Sequence, residues 1–169
     1  MLRWADAIEF PPLRYTPPPG KKLPPGKTVR IVALGDSIMN DLSNSGIDVL
    51  LERAYPGTRI EWINSVRGAT GCPYYKDHVQ EYVTDYRPDF VIIGGISHAC
   101  DTGSIASVIE QIKVPILVLT GAIAPRAHCR KNIPDDRYAN FPAELAQVAA
   151  KYRVGFLDLR AEWDRYLAE

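Results

Sequence analysis

Phe90-Val91-Ile92-Ile93-Gly94-Gly95 and Ile116-Leu117-Val118-Leu119 are two apolar runs, each bounded by glycine or proline. Between them Ile105, Val108, Ile109 and Ile112 recur at i, i+3, i+4 and i+7, the spacing of one helical face. Strand, helix and strand in that order predict a βαβ unit, and continuous apolar strands suit a sheet buried on both faces. The alternation continues in both directions. Upstream, Val29-Arg30-Ile31-Val32-Ala33-Leu34 and Arg59-Ile60-Glu61-Trp62-Ile63 read as strands. Helical faces follow each of them, at Ile47, Leu50, Leu51 and Ala54, and at Val79, Tyr82, Val83 and Tyr86. Ser45 with Asp48 resembles a capping box opening the first of these helices. Downstream, Leu145, Val148, Ala149 and Tyr152 mark a helix with Pro142 near its first turn. Val154-Gly155-Phe156-Leu157 is a fifth strand, and Leu159 to Leu167 begin another helix. Right-handed crossovers then give a three-layer α/β/α sandwich around a five-stranded parallel sheet.

The chain of 169 residues is long enough for one domain of ordinary size, and 46 % hydrophobic residues can fill its core. Lys and Arg number 20 against 20 Asp and Glu, a balance that argues against a nucleic-acid binder or a polybasic membrane-surface protein. No apolar run approaches the roughly 18 residues of a membrane span. The first residues carry no signal-peptide core, so the expected location is cytoplasmic, or outside the cell where a leader has been removed. Cys72, Cys100 and Cys129 fit no zinc spacing and read as buried or half-buried thiols, with a Cys100–Cys129 bridge as the alternative. Residues 11–25 hold seven of the 14 prolines and cannot form a central strand or a helix. Residues 1–27 are therefore expected to be an arm or linker, and 28–169 the domain.

In an open parallel sheet the site lies at the carboxyl ends of the strands. Gly35-Asp36-Ser37 follows the first strand, Asn64 to Gly71 the second, and Gly94-Gly95-Ile96-Ser97-His98 the third. If the strand order is flavodoxin-like, 2-1-3-4-5, these three loops are neighbours. They bring a serine hydroxyl, glycine N–H groups and a Ser-His pair to one crevice, a set suited to acyl transfer. Each has a plainer alternative: a capped strand-to-helix turn, tight backbone packing at Gly94-Gly95, or a surface or capping histidine at His98.

Val32-Ala33-Leu34-Gly35-Asp36-Ser37-Ile38 resembles the first block of the SGNH/GDSL hydrolases, and Gly68 in Val66-Arg67-Gly68-Ala69-Thr70-Gly71 is similar to the second-block glycine. The third block, Gly-x-Asn-Asp, is met only in part by Gly95-Ile96-Ser97-His98. The resemblance implies Ser37 as nucleophile and the N–H groups of Ser37 and Gly68 as oxyanion donors. It puts Ser97 in the place of the family's asparagine, with Asp36 and Gly95 in support. The family's last block, Asp-x-x-His, carries its general base. Asp164-Arg165-Tyr166-Leu167 has leucine there, so the chain is expected to stop before that block. His98 is then the substitute base nearest the site, and His128 a second possibility.

The resulting expectation is a serine esterase acting on a small acyl ester, acetyl above all, with a carbohydrate alcohol implied by the family's range. The alternative is a truncated or degenerate module of the same fold that binds a ligand or serves as a scaffold, completed by a missing segment or adjoining domain. No cofactor, metal, nucleic acid or membrane partner is expected. Neither Gly-x-Gly-x-x-Gly nor a Walker A sequence follows the first strand, which weakens a nucleotide-binding reading.

Overall fold

The computed structural model describes residues 15–16, 26–121 and 135–168. Five parallel strands form the sheet, β2 (Thr28–Gly35), β3 (Arg59–Val66), β4 (Phe90–Ile93), β5 (Ile116–Leu119) and β6 (Gly155–Leu157). Their order is β3-β2-β4-β5-β6, the flavodoxin-like arrangement. A two-residue strand β1 (Tyr15–Thr16) adds to β6 in the antiparallel sense, so the proline-rich arm lends the sheet a sixth, edge strand. An edge is where a proline-flanked segment can pair.

Helices cover both faces. α1 (Ser37–Asn44) and α2 (Ile47–Ala54) link β2 to β3, and α3 (Cys72–Tyr75), α4 (Val79–Tyr82) and a 3-10 turn (Thr84–Tyr86) link β3 to β4. α5 (Thr102–Gln111), α6 (Asp135–Tyr152) and α7 (Leu159–Ala168) complete the layers. β2 shows why one sheet serves two cores. Val32 and Leu34 pack with Val91, Ile93, Ile105, Val108 and Leu145 on one face, while Val29, Ile31 and Ala33 pack with Met39, Ile60 and Ile92 on the other. Alternation along a strand sends successive side chains to opposite faces, and here both are apolar.

Three local expectations change. The first helix begins at Ser37, eight residues or more before the periodic face at Ile47, because Asp36 supplies its cap. α2 has Gly46 as its N-cap, in the left-handed region and without a side-chain bond, so the Ser45/Asp48 box does not form. Pro142 lies inside α6, since that helix already begins at Asp135. His128, Cys129 and hence the Cys100–Cys129 bridge lie outside the described residues; Cys72 is buried and Cys100 half-buried.

β2 and β4 meet at the point where the chain reverses its direction across the sheet. There Gly35 approaches the backbone so closely that a Cβ would overlap the Gly94 carbonyl oxygen and press on Met39. Gly35→Ala is expected to destabilise the fold by about 1–3 kcal/mol or more, the cost of overpacking a site that cannot yield. Gly68→Ala is the control, since no atom lies within 4 Å of where its Cβ would stand. Its stability should stay within about 0.5 kcal/mol of the parent. Equal urea midpoints for the parent and Gly35→Ala would refute this packing account.

Candidate active site

Ser37 stands at the first position of α1, directly after β2, and is exposed. The residue before it is the opposite. Asp36 is 1 % exposed, and its carboxylate holds two chain segments together. Oδ1 accepts from the Ile38 N–H at 3.0 Å, which caps α1. Oδ2 accepts from the N–H groups of Ile96 at 2.8 Å and Ser97 at 2.6 Å. Burial alone would raise the pKa of this carboxyl. The Ser97 hydroxyl and the amides of Ile96, Ile38 and Ser97 outweigh it and bring the pKa below 3.8. Gly95 has φ +107°, and a Cβ there would sit 2.5 Å from Asp36 Oδ1, so glycine lets the β4 loop close over the carboxylate.

The loop after β3 joins the same place. The Arg67 N–H donates to the Gly35 carbonyl at 3.1 Å, and the Tyr75 hydroxyl donates to that carbonyl at 2.6 Å. Burial pushes the Tyr75 and Cys72 pKa values up, so both stay protonated at neutral pH. Gly71 lies against the Ser97–His98 backbone with no room for a side chain. The structure thus gathers the loops of Ser37, Gly68 and Ser97/His98 around the reversal point of the sheet.

It does not give each of these residues the function its position suggests. His98 is 3 % exposed, and both ring nitrogens are bonded. Nδ1 accepts from the Cys72 N–H at 3.1 Å, so it carries no proton. The proton is therefore on Nε2, which lies 2.8 Å from the Gly94 carbonyl and donates to it. His98 ties β4 to α3 through backbone groups, which weighs against the general-base role expected of it. Neither Asp36 nor Asp101 fixes its tautomer; backbone groups do. Asp101 instead caps α5 through Ser104, accepting from its N–H at 3.0 Å and its hydroxyl at 2.6 Å. The Ser97 N–H is likewise committed, to Asp36 Oδ2, which weighs against its expected place as an oxyanion donor. At Ser37 and Gly68 the backbone N–H groups have no protein acceptor among the described residues, and the Ser37 hydroxyl has no bonded partner there either.

Further along the same edge, the Thr120 hydroxyl donates to Asp158 at 2.9 Å and accepts from the Arg160 N–H at 3.0 Å, tying the ends of β5 and β6. A small cavity opens between the β4 loop, Thr120 and α6, lined by Gly95, Ile96, His98 and Phe141. Among the described residues no group of three His, Cys, Asp or Glu side chains could hold a metal ion. One feature has no counterpart in the expectations. Arg67, Tyr74, His78 and Tyr82 form a cluster beside Gly68, with the Arg67 guanidinium over the Tyr74 ring at 4.6 Å. Tyr74, His78 and Tyr82 at steps of four are its only trace in the sequence.

No sequence model of a known family matches the chain, and no curated protein matches it. Solved structures do. The acetyl xylan esterase AlAXEase superposes with a TM-score of 0.68 at 17 % identity, covering 83 % of this chain and 82 % of that one. A variant of an acetyl-xylooligosaccharide esterase from Geobacillus gives 0.66 at 19 % identity, covering 88 % and 83 %. A two-domain esterase active on acetylated mannans gives 0.64 at 15 % identity, covering 85 % of this chain. The chain spans about two fifths of that esterase, 40 % of its length. At such identities the likeness is one of fold, and the fold is that of the SGNH-type esterases.

Proposed function

We propose that this chain is a serine esterase domain of the SGNH type that hydrolyses a small acyl ester, with acetyl on a carbohydrate as the substrate class. The observation that carries the reading is the exposed Ser37 at the start of α1, next to the buried Asp36, with its own N–H and that of Gly68 lacking a protein acceptor among the described residues. The substrates named for the esterases of like fold, acetylated xylan and mannan, support the carbohydrate half. In this mechanism the Ser37 Oγ attacks the ester carbonyl and its proton passes to a base. The carbonyl oxygen, now negative, takes hydrogen bonds from the Ser37 and Gly68 N–H groups. The C–O bond to the alcohol breaks, the alcohol leaves with a proton, and water then cleaves the acyl-serine.

The bonding of His98 favours a second reading. With its ring committed to the fold, the described residues place no base on Ser37. A base then comes from His128, which lies outside the described residues, or from another segment, and without one the chain is a binding or scaffold module. Serine without a neighbouring base is a weak nucleophile, and general-base help is worth about 10²–10⁴ in rate.

Three outcomes are expected. A fluorophosphonate labels Ser37, and Ser37→Ala abolishes both the labelling and the hydrolysis of p-nitrophenyl acetate; undiminished turnover in Ser37→Ala, or labelling at another serine, would sink the nucleophile assignment. Extending the chain with a downstream segment that carries Asp-x-x-His raises turnover by about 10²–10⁴. Strong activity in the unextended chain would speak against the need for an outside base. The third concerns pH. Burial is the main cause holding the His98 pKa below 6.5, although the Gly94 carbonyl and the Asp36 charge act the other way. The unfolded chain then binds a proton that the folded chain refuses, so stability falls as pH drops below about 6.5. Asp36 adds a second loss below about 3.8, where the unfolded carboxyl protonates first. His98→Gln should flatten the first loss: its urea midpoint should differ less between pH 7.5 and 5.5 than the parent's. An identical pH dependence in both proteins would mean that His98 is not the buried tie described here.

A further inference from the structure

Gly68 has no packing of its own. It is exposed, no atom lies within 4 Å of where a Cβ would stand, and the next residue, Ala69, has φ +53°. The Thr70 hydroxyl donates to the Gly68 carbonyl at 3.0 Å, which closes a local turn but ties it to nothing else. The loop is fastened at its two ends, by the Arg67 N–H on Gly35 and by the fit of Gly71 against Ser97. Between those points one side chain reaches a rigid surface, and it belongs to Arg67.

That surface is the Tyr74 ring. On one face the His78 imidazole lies parallel, at 3.9 Å and 10°. The guanidinium, 4.6 Å from the ring centre, takes the other face, since a single face cannot hold both. Tyr82 packs edge-on at 5.9 Å and Tyr75 at 5.7 Å, and His78 Nδ1 bonds the Tyr74 carbonyl at 2.9 Å. The ring is therefore a fixed seat, and a cation over it is attracted to its electron-rich face. Guanidinium suits the seat because its plane can lie on the ring while its charge stays in water.

We propose that Arg67 is a positioning residue for the candidate oxyanion donor: seated on Tyr74 and bonded through its N–H to Gly35, it fixes the orientation of the adjacent Gly68 N–H. The inference rests on the reading of Gly68 as that donor. Arg67 touches no reacting atom. It acts by keeping the donor in place before the negative charge develops, and a donor in place only a tenth to a hundredth of the time would slow the step by about 10–100-fold.

The test uses the full chain and a fluorophosphonate. In the capture step the Ser37 Oγ–P bond forms, the P–F bond breaks, fluoride leaves and the hydroxyl proton passes to solvent base. Arg67→Ala is expected to slow capture at Ser37 by about 10–100-fold with unchanged thermal unfolding, and Tyr74→Leu to slow it comparably. Combining the two should add little, because both remove one clamp. Arg67→Lys, which keeps a cation for the ring, should recover part of the rate. With p-nitrophenyl acetate the loss should fall on kcat, with KM little changed. Capture by Arg67→Ala at the parent's rate, additive losses in the double variant, or a loss confined to KM would each overturn the inference while leaving the esterase reading intact. A parent chain that neither labels at Ser37 nor turns over ester would remove both.

Discussion

The Asp36 carboxylate is the interaction on which this structure turns. A buried charge costs several kcal/mol in lost hydration unless hydrogen bonds replace the water. Here three backbone N–H groups and a hydroxyl do so, and they come from two separate places in the chain. One carboxylate therefore starts α1, presents Ser37 on its first turn and draws the β4 loop over the end of β2. The glycines at 35 and 95 follow from it, since a Cβ at Gly35 would strike the Gly94 carbonyl and one at Gly95 the carboxylate itself, while Gly94 is closed off by the side chains of Met39 and Leu119.

This arrangement divides the polar residues at the crevice into two groups that look alike in sequence. Ser97 and His98 occupy positions where a chemist would look for a donor and a base, yet their hydrogen-bonding capacity is spent on Asp36, Cys72 and Gly94. Ser37 and the Gly68 N–H have no such partner among the described residues. What decides between structural and reactive use is whether a group's bonding capacity is already filled, and not its distance from the serine along the chain. The described residues of the crevice thus supply no proton acceptor to Ser37.

The parallel sheet was legible because its strands are buried on both faces, so runs such as Phe90–Ile93 and Ile116–Leu119 carry the signal without help from distant residues. The Ser37 loop was legible because it directly follows such a run. The start of α1 was not: Ser37–Asn44 is only weakly apolar, and its beginning is set by a cap whose other bonds reach residues 60 positions away. The bonding of His98 is hidden for a related reason. Its partner, the Cys72 N–H, is 26 residues distant and is a backbone group, which leaves no mark on the sequence. The Arg67 seat is intermediate, with a helical spacing of aromatics that shows but a cation that only the fold brings to them.

The pairing of β1 with β6 joins the first of the described strands to the last. Contacts so far apart in sequence close a long loop, so this edge is expected to form after the local pairings of the sheet. Until it closes, Gly155–Leu157 shows an unpaired row of N–H and C=O groups to any other extended segment. The opposite edge, β3, has no such dependence, because Arg59 and Glu61 place charges along it from the moment it forms. The two margins of the sheet are thus guarded on different schedules, one by charge built into the strand and the other by a piece of the same chain that must return to it.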